Sequence, residues 1–196
     1  MSLYHGTSAG NAVRILQSNT VRPSEDGYFY CFDSNKPESL AGALCFATGG
    51  SLRAGSFAKE DFFAHYARLN PDFPTGMRGM FIKAALKSIA ASWVEKQMKS
   101  ATGPLDKYAA VLVFRDHADA QAQSRQGFVN EVKVPEAALP SLVLEKAYVD
   151  DALLHHPDIE QLRQQGLTIE ALSACVSQVV QPPKSPKKSA GPNPQP

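Results

Sequence analysis

The chain has 196 residues, 43% hydrophobic and 20% charged, with a formal net charge of +1. That length and composition fit one soluble globular domain with a real core, and a charge near zero gives no reason to expect a nucleic-acid partner. Cys31, Cys45 and Cys175 lack CxxC or Cys/His spacing, so neither a metal site nor a disulfide framework is expected, and a reducing compartment is.

The opening residues lack the basic and apolar regions of a secretory leader. No apolar run approaches the roughly 20 residues of a membrane span. The expectation is a cytoplasmic chain, or one translocated into a host cell without an N-terminal Sec signal, and no membrane partner.

In chain order, residues 2–5 read as a short strand ending in His5-Gly6-Thr7. Ser8 caps a short helix carrying Ala12, Val13, Ile15 and Leu16 on one side and ending near Asn19. Tyr28 to Phe32 is aromatic-rich and bounded by Gly27 and Asp33-Ser34, the signature of a strand. Pro37 opens a short helix. Gly42 to Thr48, with the apolar run Leu44 to Ala47, reads as a core strand closed by Gly49-Gly50. Leu52 to Leu69 is helical, with Phe57, Phe62, Phe63 and Tyr66, and residues 70–76 form a loop.

Met80 to Met98 begins like a strand (Met80, Phe81, Ile82) and continues like a helix through Trp93. Ala109 to Phe114, Phe128 to Val134 and Leu142 to Tyr148 read as strands, and residues 150–180 as two helical stretches split near Gly166. The sum is an α+β domain over residues 1–180 with a mixed sheet, without regular strand–helix alternation. Residues 181–196 are almost wholly Pro, Lys, Ser, Gly, Asn and Gln. They offer no apolar area to bury, so a disordered tail is expected.

Three segments carry candidate chemistry. A strand ending in His5-Gly6 brings backbone close to a flat ligand, since glycine has no Cβ in the way. Gly42 to Thr48 is followed by Arg53-Ala54-Gly55-Ser56-Phe57-Ala58. In Gly127 to Val134, alternation puts Val129, Glu131 and Lys133 on one face and Phe128, Asn130, Val132 and Val134 on the other. A glutamate inside an apolar strand is unusual. Taken singly, each has a plain reading: a capped surface histidine, a core strand, and a solvent-facing glutamate paired across the sheet.

Taken together, their order resembles the ADP-ribosyltransferase family, in its diphtheria-toxin and poly(ADP-ribose) polymerase branch. LYHGTSAGNAVRILQSNTVRPS resembles that branch's opening strand and helix, GALCFAT its "GIYFAD" strand, RAGSFA the helix start that follows, and VNEVKVPEAAL the closing "NEY-V-V" strand. The resemblance covers roughly residues 2–60 and 105–150. It implies a split mixed β-sheet with flanking helices around an NAD cleft. NAD would then be the co-substrate, and Glu131 the catalytic acid against the nicotinamide ribose. His5 would bond a ribose hydroxyl, Gly6 would hold the nicotinamide amide through its backbone, and Thr7 would complete the motif. The implied activity is mono-ADP-ribosyl transfer to a protein acceptor, such as a host protein, by a bacterial effector or toxin, with release of nicotinamide and no metal.

One position departs from the family pattern. Cys45 stands where the tyrosine that stacks on nicotinamide belongs, and a thiol has no ring face. Phe46, Phe57 and Tyr30 are the candidates to replace it. Strand alternation turns Phe46 into the core if Cys45 faces the cleft, which favours Phe57 or Tyr30. His5, and the lack of an acid or Gln at Val129, argue against the arginine-directed branch. Other readings stay open: a relative acting on nucleic acid or a small molecule, a cleft that binds NAD without turnover, and a cysteine hydrolase using Cys45 with His117 or His65, which lacks any activating context. Oligomeric state is left open.

Overall fold

The computed structural model describes residues 2–47, 66–70, 73–99, 103–115, 125–126 and 131–180. The tail, Phe57, most of the helix expected over 52–69 and the strand start at 127–130 lie outside the described residues.

Among the described residues seven strands form one sheet: β1 (Ser2–Ser8), β2 (Tyr28–Asp33), β3 (Ala109–Arg115), β4 (Arg125–Gln126), β5 (Glu131–Pro135), β6 (Val143–Val149) and β7 (Thr168–Ala171). Their order is β4-β5-β2-β1-β3-β6-β7. Every pairing is antiparallel except β6 with β7, which is parallel, so the sheet is mixed and the class α+β, as expected.

Helices cover both faces. On one lie α1 (Ala9–Ser18) and α4 (Pro157–Gln164), whose Val13, Ile15, Leu16, Ile159 and Leu162 pack on Leu3, Phe29, Leu112 and Val134. On the other lie α2 (Ser39–Phe46) and α5 (Leu172–Val180), packing on Phe32, Val111, Val113 and Tyr148. The strand β3 is buried on both faces, which explains its unbroken apolar run.

The corner from β1 into α1 is held tightly. Ser8 caps the helix, its Oγ accepting from the Asn11 N–H at 3.1 Å. Asn19 closes it in the left-handed region at φ 49°, which asparagine tolerates. The buried Asp106 accepts from Ser8 Oγ at 3.2 Å and from Arg14 Nη2 at 3.0 Å.

Three expectations are corrected. Gly42 to Ala47 is not a strand: Ser39–Phe46 is helix α2. Its residues from Ser39 to Cys45 are all buried, so the segment has no polar face from which a helical period could be read. Two glycines let it settle on the sheet. A Cβ on Gly42 would lie 2.6 Å from the Phe32 ring, and one on Gly6 1.9 Å from the Ala43 carbonyl oxygen. Met80 to Ile82 is likewise no strand but part of helix α3 (Gly76–Lys99), where the following alanines and lysines favour helix. Between the two helices after residue 150, β7 adds a strand that the sequence reading missed.

Candidate active site

The strand β1 treats its two neighbours differently. It pairs with β3 at all seven residues, Ser2↔Arg115 through Ser8↔Ala109. With β2 it pairs only at Leu3↔Asp33 and Tyr4↔Phe32. Beyond Tyr4 the ladder stops, and the two strands part around a buried Gly6.

The hydrogen-bond directions show what faces that opening. Ser34 N–H donates to the Ser2 carbonyl at 2.9 Å, on the β2 side, and Ala9 N–H donates to the Tyr108 carbonyl at 2.7 Å, on the β3 side. Backbone polar groups alternate between neighbours along a strand. His5 and Thr7 therefore address β3, while Gly6 turns its N–H and C=O towards β2, past the end of that ladder.

His5 spans the opening. Its Nδ1 lies 2.7 Å from the Tyr30 carbonyl oxygen. A carbonyl only accepts, so Nδ1 carries the proton and donates, and Nε2 keeps a free lone pair in the neutral ring. Burial holds the ring neutral by pulling its pKa down to about 4, against the pull of the Tyr30 carbonyl. The ring packs against Phe29 with centroids 4.2 Å apart.

Glu131 opens β5 opposite Phe32, which is opposite Tyr4. Its carboxyl is half-buried, and burial raises its pKa to about 7. Lys133 works against that rise and Asp26 with it. Among the described residues no group hydrogen-bonds this carboxyl. The ring of Tyr30 lies under Lys133, whose Nζ is 5.1 Å from the ring centroid. The Tyr30 hydroxyl donates to Asp26, and burial with that bond lifts its pKa to about 12.

The expected site residues fare unequally. Strand alternation sends His5, with Leu3, to the α1 face, whereas Glu131 and Lys133 share the α2 face with Tyr30 and Phe32. The structure does not set His5 and Glu131 side by side. Tyr30 links them, its carbonyl holding His5 and its phenol lying within reach of the Glu131 charge. Gly6 is required where α2 packs on β1: Ala43 of α2 and Ala47 just beyond its end fill the space where a Cβ would stand. Thr7 is buried, its Oγ1 accepting from Asn11 Nδ2 at 2.8 Å.

Because α2 is a helix, Cys45 and Phe46 do not point to opposite sides as strand neighbours would. Cys45 is 1% exposed, within the α2-side core. Phe46 stacks on Phe32, with centroids 5.9 Å apart. Tyr66, unassigned on sequence, is buried on this same face and takes a hydrogen bond from Asn70 Nδ2 at 3.2 Å. Burial raises its pKa, and Glu38, Cys45 and Glu131 push the same way. The signal for it was the Tyr66/Asn70 pair at helical i,i+4 spacing.

Compared with protein-family models, curated proteins and solved structures, the chain matches none. Among the described residues no cluster of His, Cys, Asp or Glu could hold a metal ion, and no helix is long and apolar enough to cross a membrane.

Proposed function

We propose that the chain is an NAD-dependent mono-ADP-ribosyltransferase that moves ADP-ribose to a protein acceptor, in the manner of a bacterial effector or toxin. The observation that carries the reading is the parted β1–β2 ladder at His5-Gly6. A strand end directs one N–H and one C=O into an opening, beside a neutral histidine with a free lone pair. Those groups suit NAD. The Gly6 backbone complements a carboxamide, and His5 Nε2 can accept from a ribose hydroxyl.

The chemistry asked of Glu131 is electrostatic. The C1′–N bond breaks with its electron pair leaving on nicotinamide, positive charge grows at C1′, and the acceptor's nucleophile then bonds to C1′ and loses its proton. A fixed carboxylate stabilises that charge more in the transition state than in the ground state. Nicotinamide leaves from a cationic pyridinium, so the step needs no general acid. Tyr30, within electrical reach of Glu131, stays a candidate to flank the nicotinamide ring, whereas Tyr66 is 3% exposed and as buried as Cys45.

A second reading, a cleft that binds NAD without turnover, is favoured by one observation: His5 and Glu131 leave the sheet on opposite faces. Labelled NAD incubated with the protein and a cell lysate separates the two. Transfer of label to a macromolecule, lost in Glu131→Gln, supports the transferase. NAD binding with no labelled product supports the second reading.

A further inference from the structure

Independently of that function, we infer that the first half of α3 is a docking face for an anionic phospholipid surface. Four of the five large exposed hydrophobic side chains among the described residues lie on this helix: Met77, Met80, Phe81 and Ile89. Met77, Met80 and Phe81 are 73%, 70% and 69% exposed. With the exposed Ala84 they follow i, i+3, i+4, i+7, a single stripe along two turns. The far side of the helix is the anchored one, where Gly79 is buried and Ile82 packs on the α2-side core.

Charge selects the occupant. From Gly76 to Val94 the helix carries Arg78, Lys83 and Lys87 and no acidic residue, Glu95 being the first. Arg78 and Lys83 are exposed and fall on opposite flanks of the stripe. A second copy docking face to face would set these cations against themselves. The chain's own tail bears Lys184, Lys187 and Lys188 and no acid, so its sign is also wrong. A partner protein's groove would need anchors along several turns, and this stripe reaches Ser88 after Ala84. A bilayer needs less. One narrow apolar face enters the headgroup boundary, while cations on both sides reach lipid phosphates. Such a helix lies on a membrane and does not cross it.

The test is flotation of the full chain with vesicles of phosphatidylcholine containing about 30 mol% phosphatidylserine, against phosphatidylcholine alone. The expected result is binding to the anionic vesicles only, weakened by salt. Phe81→Ser with Met80→Ser should lower it more than tenfold, and Arg78→Ala and Lys83→Ala about fivefold each. All four side chains are exposed, so melting temperatures should stay unchanged and report folding separately. No flotation with anionic vesicles overturns the inference. So does equal binding to neutral ones, binding indifferent to these substitutions, or a concentration-dependent dimer that Phe81→Ser dissolves.

Discussion

The two edges of β1 divide the labour of the sheet. Towards β3 the strand is sealed along its whole length, and the residues around it (Leu3, Leu112, Phe114) are core. Towards β2 it is joined for two residues and then released. The sealed edge fixes the strand, so the backbone groups of Gly6 and the ring of His5 are held in place where the other ladder ends. Rigid support on one side is what makes polar groups on the other usable for recognition.

The sealed edge is broken most directly by Leu112→Ala. It should lower stability by about 2–5 kcal/mol, read as a drop in melting temperature, while the folded fraction keeps its NAD turnover. The open edge should respond in the reverse way to Glu131→Gln. Transfer should fall by on the order of 10²–10³ with NAD affinity held within a few-fold. Stability should move oppositely. The carboxyl's pKa is raised from 4.5 to about 7 on folding. Its contribution is therefore present below 4.5 and lost as pH rises through about 7. At pH 8 the glutamine variant should melt higher than the parent, by on the order of 1–3 kcal/mol, and at pH 4 it should not. A variant that loses both stability and transfer at pH 8 would mean that Glu131 is a structural residue.

Gly6→Ala probes where the two edges meet. Its Cβ would run into the Ala43 carbonyl, so α2 must shift, at a cost of about 1–3 kcal/mol in a melting experiment. The smallest effect is expected at Lys133, which holds the Glu131 pKa down. On the proposed mechanism transfer needs the carboxylate, so the rate should rise with pH through about 7. Lys133→Ala should move that midpoint upward, and a midpoint that stays put or falls counts against Lys133 facing the site.

What was legible in the sequence follows from how each segment is solvated. The helix α1 shows its caps, Ser8 and Asn19, and one apolar side, because its other side meets water. The strands β2, β3 and β6 declare themselves by aromatic or unbroken apolar runs. The helix α2 was misread because burial all round erases the period that marks a helix. At only four residues, β7 escaped notice, and its pairing with β6 joins segments that sequence does not link. The site divides similarly. His5 and Glu131 stand out by residue type. The opening between β1 and β2 is a pairing that fails to continue, which no local pattern encodes, and Tyr66 comes within the field of Glu131 only through tertiary packing.

The central claim is that Gly6 faces an opening that takes NAD while its neighbours are sealed against β3. Amide hydrogen exchange at single-residue resolution tests it within three consecutive residues. In the free protein the Gly6 amide should exchange faster than those of His5 and Thr7, and millimolar NAD should slow Gly6 while leaving its neighbours unchanged. A Gly6 amide as protected as His5 and Thr7 without ligand, or one indifferent to NAD, would contradict the account.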